Sequence, residues 1–357
     1  MFVDICSLLS GYSKALYSTW VWYKPDHLLV DCGEGCASTL GNGGFAIERV
    51  LLTHGHIDHI SGLPSLLWSR AAGMGDNLKP LAIYHPRDDV YVADLRAYLE
   101  RTSARLPFDL QWIALDANQS FPLGMSTHAR GEGAGKQSNR HPRRVETFAT
   151  RHIKDRLTLG YKIVETRRRL KPEYDALSQQ EIRDLARESN RNARQTNENS
   201  DDSRPNTANT GEANASGANA SGVSGNNRSA QDARGENAGW EGFSLTEEYD
   251  ATLAAFGGDG LPLDPQAVRG CELLLHEATI LETGERRHQL HSTLDEAIEV
   301  AAQVKPKAFV LQHVSGRYRS AEIERATRQS AARHHVEFPI WCLFRDRLWN
   351  VWSRPPA

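Results

Sequence analysis

Four side chains able to bind a metal ion fall within six residues at His54-Gly55-His56-Ile57-Asp58-His59. Imidazole and carboxylate together suit zinc or a similar divalent ion. The apolar run Val50-Leu51-Leu52 precedes them and reads as a buried parallel strand with His54 at its C-terminal end, the end at which sites form in open α/β sheets. His54 and His56, two apart on extended backbone, face the same side. The alternative is an accidental cluster on a polar turn, but three imidazoles have little reason to crowd beside a buried strand unless something binds them. Three further candidates, His152, Asp259 and His313, also stand where strands end. Singly, each has an ordinary explanation. A strand-end histidine is often satisfied by a backbone carbonyl, and an aspartate after Gly257-Gly258 is often a turn former. Together with the first cluster they make five histidines and two aspartates, enough for two adjacent metal ions.

The elements that must carry these residues alternate between strand and helix. Leu28-Leu29-Val30-Asp31 is a short strand ending in the tight turn Cys32-Gly33-Glu34-Gly35. Ile47 to Thr53 is the next strand, and Ser61-Gly62-Leu63-Pro64 opens a helix that runs to Arg70. Leu81 to Tyr84 is a strand stopped by His85-Pro86, and Val90 to Arg101 has helical spacing. After a polar, glycine-containing loop from Gly131 to Arg144, Val145 to Thr150 is a strand that delivers His152. Leu157 to Val164 follows as a second strand, and Ser178-x-x-Glu181 matches a capping box for a short helix. Later come strands at Thr252 to Phe256, Cys271 to His276 and Ala308 to Gln312. Asp264-Pro265 reads as a helix start, and Thr293-x-x-Glu296 caps a helix with Ala297, Ile298, Ala301 and Val304 on one face. This alternation specifies an α/β layered fold.

Composition sets the outer limits. Hydrophobic residues make up 39% of the 357, below the usual globular share, so part of the chain is not expected to join a core. That part is 189–239, dominated by Asn, Ser, Ala, Gly, Arg and Asp. It cannot bury enough apolar surface to offset its ordering entropy. Residues 1–188 and 240–357 are therefore expected to fold together as one domain around a disordered polar insertion. The net charge of −3 advertises no global affinity for nucleic acid. Five scattered cysteines, an odd number, argue against a disulfide framework and for a reducing, cytoplasmic setting. Cys32 and Cys36 lie near the histidines but are expected to be free thiols. No apolar run approaches a membrane span.

The motifs resemble the metallo-β-lactamase superfamily and, within it, the ribonuclease Z (tRNase Z) family of tRNA 3′-end endonucleases. The likeness rests on Val30-Asp31-Cys32-Gly33-Glu34-Gly35, on His54-x-His56-x-Asp58-His59-x-x-Gly62-Leu63-Pro64, and on His152 before Leu159-Gly160-Tyr161-Lys162-Ile163. It continues through Gly258-Asp259, His276-Glu277-Ala278-Thr279, His291-Ser292-Thr293 and His313-Val314-Ser315-x-Arg317-Tyr318. The first histidine motif alone gives only the superfamily, whereas the His-Glu-Ala-Thr and His-Ser-Thr boxes narrow it to ribonuclease Z. The resemblance implies an αββα four-layer sandwich of two sheets flanked by helices. It implies two divalent ions, zinc or else manganese, one held by His54, His56 and His152 and the other by Asp58, His59 and His313, with Asp259 bridging. It also implies that Asp58 orients or deprotonates the attacking water, that His291 protonates the leaving oxygen with Glu277 supporting it, and that the protein is a homodimer. The substrate so implied is pre-tRNA, cut at the 3′ trailer to leave a 3′-hydroxyl.

The match weakens where ribonuclease Z enzymes usually carry a tRNA-gripping exosite arm, since no Gly-Pro-rich arm is visible between His152 and Asp259. From Lys136 to Lys171, twelve Lys/Arg face three Asp/Glu. Such a run could neutralise phosphates or be an ordinary solvated surface. Arg317 is open to the same two readings. A hydrolase of the same fold acting on small phosphodiesters or thioesters is the competing function. A non-enzymatic RNA-binding protein is disfavoured because all seven candidate ligands are present.

Overall fold

The computed structural model describes residues 4–73, 79–102, 106–124, 141–187 and 245–353. By internal contacts, Met1–Arg167 with Asp250–Ala357 forms one compact unit and Arg168–Tyr249 another. One sheet runs in the order β1 (Leu9–Lys14), β2 (Ser18–Tyr23), β3 (Leu28–Val30), β4 (Arg49–Leu51), β5 (Leu81–Pro86), β6 (Leu110–Leu115). The other contains β7 (Ser120–Gly124), β8 (Arg143–Thr150), β9 (Thr158–Leu170), β10 (Thr246–Phe256), β11 (Leu273–Glu277), β12 (Ala308–Gln312), β13 (Ile340–Phe344) and β14 (Arg347–Trp352), each beside the next. β3 to β6 are mutually parallel, as are β10 to β13. The helices are α1 (Ile5–Leu8), α2 (Cys36–Leu40), α3 (Ile57–Ile60), α4 (Leu63–Gly73), α5 (Val90–Thr102), α6 (179–187), α7 (Leu294–Val304) and α8 (Ser320–Arg333).

Unbroken apolar runs mark the parallel strands because each strand is buried on both faces. Leu28 and Val30 point between the sheets, where they meet Tyr161, Phe256, Leu275 and Val310, whereas Leu29 points the other way. Val50 and Leu52 share that outer layer with Leu63, Leu66 and Leu67 of α4 and Val92 and Leu99 of α5. Leu274, Phe309 and Leu311 do the same for the second sheet, beneath Ala297, Ile298 and Ala301 of α7 and Ile323 of α8. The layers are helix, sheet, sheet, helix, as the resemblance implied. Each fully buried leucine stabilises the stack by about 1.5–3 kcal/mol.

Some elements differ from the sequence reading. The strand expected over Ile47 to Thr53 pairs only as Arg49–Leu51, because the Thr53 N–H leaves the ladder for the Asp31 carboxylate at 2.8 Å. The strand at Leu81 runs through His85-Pro86, and β9 continues past Val164 to Leu170. Asp264-Pro265 starts successive turns with i→i+3 bonds and not a helix. Only a few residues separate it from β11, and Gly270 turns the chain with a positive φ of 74°. Both capping boxes form: Thr293 and Glu296 exchange bonds, and Ser178 N–H donates to Glu181 at 2.8 Å. The expected insertion at 189–239, and 131–140 of the polar loop, lie outside the described residues. Among the described residues no helix is long and apolar enough to cross a membrane, and the five cysteines are free, with Cys32 and Cys36 buried.

Candidate metal centre

All seven candidate ligands leave the strand ends of the larger unit. The segment after β4 supplies His54, His56, Asp58 and His59, while β8, β10 and β12 lead into His152, Asp259 and His313. Two glycines let the loops after β3 and β4 cross. A Cβ on Gly62 would sit 2.1 Å from Gly33 O, and one on Gly33 would sit 2.3 Å from Asp58 O. No side chain fits either place, which accounts for glycine in both motifs. Asp31 and His313 adopt left-handed backbone, with φ of 58° and 54°, a region costly for residues with a Cβ. His313 is held there by its N–H, which donates to Ser13 Oγ at 2.7 Å.

The ligand atoms fall into two overlapping groups. Those of His54, His56 and His152 lie within 4.8 Å of one another, as do those of Asp58, His59 and His313. Asp259 reaches both sides, grouping with His54 and His59 and separately with His152 and His291. His54 Nε2 and Asp259 Oδ1 are enclosed without a hydrogen-bond partner, and His59 Nε2 lies 3.3 Å from Asp259 Oδ2 without making a hydrogen bond. Buried polar atoms left unpaired at one point are costly unless something binds them. Imidazole nitrogens and carboxylate oxygens are the donor set of a divalent transition metal, so the residues fit such an ion.

Charge separates the two groups. Burial pulls the pKa values of His54, His56 and His152 down, which favours the neutral form that can ligate; His152 Nε2 and His56 Nδ1 lie 3.2 Å apart. Burial also opposes protonation of His59 and His313, but the Asp259 carboxylate outweighs it, aided by Asp31 for the first and Asp58 for the second. His313 is thereby raised to about 10. Asp259 is driven well below the usual carboxylate range: burial would raise it, but His313 and His59 dominate. The carboxylates thus demand positive charge at this side, which protons supply when no metal does.

Around these ligands stand residues that fix their orientation. Asp31, missed as a site residue by the sequence reading although it lies in a quoted motif, sits 2.8 Å from His59 Nδ1 through Oδ2. Its only sequence signal is a carboxylate ending an apolar strand. Thr53 Oγ1 contacts His54 Nδ1 at 3.0 Å, Leu290 O contacts His152 Nδ1 at 3.0 Å, and Leu16 N–H donates to Asp58 Oδ2 at 3.0 Å. Glu277 is buried and accepts from Gly260 N–H at 2.8 Å and from Thr279 N–H at 2.9 Å. His291 Nδ1 lies 2.8 Å from Glu277 Oε1, and its ring is 4.8 Å from that of His152 and 5.4 Å from that of His313. Burial opposes protonation of His291, but Glu277 raises its pKa overall. His276 is turned away: its ring nitrogens meet Glu277 O and Leu263 N–H, a structural role.

Six of the ten described cations of the basic run are spent on internal ion pairs. Arg143 meets Asp26 and Glu165, Arg144 meets Glu146 and Asp250, Lys162 meets Glu146, and Arg167 meets Glu165 and Glu272. In the smaller unit Arg168 and Arg169 pair with Glu248 and Glu247. Sequence counting missed this because Asp26, Glu247, Glu248, Asp250 and Glu272 lie far along the chain from the run. Arg317 likewise pairs with Glu285 at 2.7 Å.

Comparison with known proteins agrees with this geometry. The metallo-beta-lactamase superfamily profile matches residues 16–134. A ribonuclease Z of Gemmatimonas aurantiaca is 30% identical over 332 residues, spanning 90% of this chain and 86% of that one. A ribonuclease Z of Bradyrhizobium sp. is 28% identical over 302 residues, spanning 83% of this chain and 82% of that one. The metallo-beta-lactamase fold protein YhfI from Bacillus subtilis superposes with a TM-score of 0.54 at 12% identity, over 96% of this chain and 98% of that one, a likeness of fold alone.

Proposed function

The chain belongs to the ribonuclease Z family of the metallo-β-lactamase superfamily, and from that premise we propose that it is an endoribonuclease that removes the 3′ trailer of pre-tRNA. The observation that carries this reading is the Glu277–His291 pair set against the metal-ligand cluster, His291 Nδ1 being 2.8 Å from Glu277 Oε1. A phosphodiester cut that leaves a 3′-hydroxyl expels an alkoxide, which needs a proton. Glu277, immobilised by Gly260 and Thr279, occupies Nδ1 of His291 and leaves Nε2 to deliver that proton.

Two divalent ions, zinc or manganese, would be held by His54, His56 and His152 and by Asp58, His59 and His313, with Asp259 between them. When bound they supply Lewis-acid polarisation of the phosphoryl oxygens and a lowered pKa for water at the site. Asp58, fixed by the Leu16 N–H and beside His313, orients the attacking water and accepts its proton. Asp31 holds His59 in the tautomer with the proton on Nδ1, leaving Nε2 free to ligate. We further propose a homodimer acting in the cytoplasm.

A second reading, hydrolysis of small phosphodiesters or thioesters, is favoured by one observation: six of the ten described cations of the basic run that could have gripped RNA are consumed in ion pairs. Metal-loaded protein incubated with trailer-bearing pre-tRNA, a small aryl phosphodiester and a thioester separates the two. Cleavage next to the discriminator base supports the first; brisk turnover of the small esters with intact pre-tRNA supports the second.

A further inference from the structure

Among the described cations of the basic run, Lys171 and a group of three beside the metal centre form no ion pair. Arg151, Lys154 and Arg156 are exposed on the loop that carries His152, and among the described residues none of them forms an ion pair. Arg156 lies over the ring of Tyr91 at 4.8 Å. Tyr91 is itself 44% exposed, with its ring 6.2 Å from that of the candidate ligand His56. The same loop lines a groove of about 930 Å³ with His152, His288 and Leu290 in its wall. Cations without an ion-pair partner, one of them stacked on a half-exposed aromatic ring, on a loop whose groove takes in the candidate ligand His152, have the composition of a single-strand nucleic-acid platform. There bases stack on aromatic rings or guanidinium planes and phosphates meet Lys and Arg.

We infer that Tyr91 with Arg156, and Arg151 with Lys154 along the same loop, form a subsite that binds single-stranded RNA and orients it across the His56–His152 side of the metal centre. This rests on the endoribonuclease reading and names the surface that takes over from the neutralised basic run. Stacking serves any sequence because every base has a π-face, so the subsite is expected to tolerate sequence variation while depending strongly on salt.

The test is binding of a fluorescein-labelled single-stranded oligodeoxyadenylate of about 12 nucleotides to the metal-loaded protein by anisotropy, followed by pre-tRNA kinetics. Tyr91→Ala and Arg156→Ala are each expected to raise Kd and the pre-tRNA KM by about 5-fold or more, with metal content and melting temperature at wild-type values. Tyr91→Phe, which keeps the ring, is expected to restore binding. Arg156→Ala is expected to lower the slope of log K against log salt by about 0.7, the share of one single-strand phosphate. Unchanged Kd and KM in both alanine variants would overturn the subsite, as would a loss of binding that tracks a loss of metal. Wild-type protein that binds the oligonucleotide through these residues but leaves pre-tRNA uncut would retain the subsite and defeat the pre-tRNA reading. Pre-tRNA cleavage with wild-type KM in both alanine variants would do the reverse.

Discussion

Asp31→Asn tests how the centre is held, because it removes a charge while keeping the shape. Asp31 is 2% exposed, with Oδ1 accepting from Thr53 N–H at 2.8 Å and Oδ2 facing His59 Nδ1 at 2.8 Å. An asparagine there must keep its oxygen toward Thr53, since the flipped amide would set N–H against N–H. Its NH2 then faces His59 Nδ1, which has to become an acceptor. The imidazole proton is driven to Nε2, the nitrogen that lies 3.3 Å from Asp259 and that the proposed metal centre would use as a ligand. Loss of such an orienting partner typically costs 10–100-fold in metal affinity, about 1.4–2.7 kcal/mol. The assay is zinc Kd by chelator competition, with melting of the metal-free protein alongside. A wild-type Kd in Asp31→Asn would refute the tautomer argument. A metal-free protein melting far below wild type would show that Asp31 acts on folding instead.

Further expectations concern the proton inventory and the reacting groups. Metal loading should release protons, because His59 and His313 are held protonated by carboxylates when no metal is present. Calorimetry in buffers of different ionisation enthalpy should report that release, and affinity should climb with pH up toward the His313 value of about 10; a pH-independent Kd would contradict it. His291 must be protonated to act as an acid, and its raised pKa holds the proton to higher pH. Glu277→Gln should therefore move the descending limb of kcat against pH toward lower pH, and an unmoved limb would separate Glu277 from His291. His291→Ala should lower kcat on pre-tRNA by about 10²–10⁴-fold; wild-type turnover would exclude it as the acid. Asp58→Ala should remove most activity and reduce metal content, and full turnover in that variant would exclude its assigned part.

The stability linked to the Glu277–His291 pair in metal-free protein has a defined window. The histidine's raised pKa contributes stability that is complete below its unfolded value near 6.5 and is lost as pH rises through the folded one. The Glu277 pKa is lowered, with burial opposing and His291 prevailing. Its contribution is present above the unfolded value near 4.5 and lost as pH falls through the folded one. The pair is most stabilising between these limits.

The architecture was legible because its parallel strands are buried on both faces, so Leu28-Leu29-Val30, Leu273-Leu274-Leu275 and Ala308 to Leu311 read as plain apolar runs. The candidate ligands stood out because His54 to His59 is dense and His152, Asp259 and His313 fall within three residues of a strand end. What sequence could not carry was pairing across the chain. Arg144 looked free until Asp250 arrived beside it on β10, and Asp31 had no role until the loop crossing at Gly33 and Gly62 set it against His59. The helix expected after Asp264 failed for a similar reason. Its capping chemistry is real, with Gln266 N–H donating to Asp264 Oδ1 at 2.9 Å, but the distance to β11 leaves room only for turns. Local signals were right about chemistry and wrong about what surrounding elements allow.

The most direct measurement is end-group mapping of the products from one trailer-bearing pre-tRNA and the metal-loaded protein. A single cut beside the discriminator base is expected, giving tRNA with a 3′-hydroxyl and trailer with a 5′-phosphate. A 3′-phosphate product, or intact pre-tRNA from a protein that turns over small phosphodiesters briskly, would contradict it.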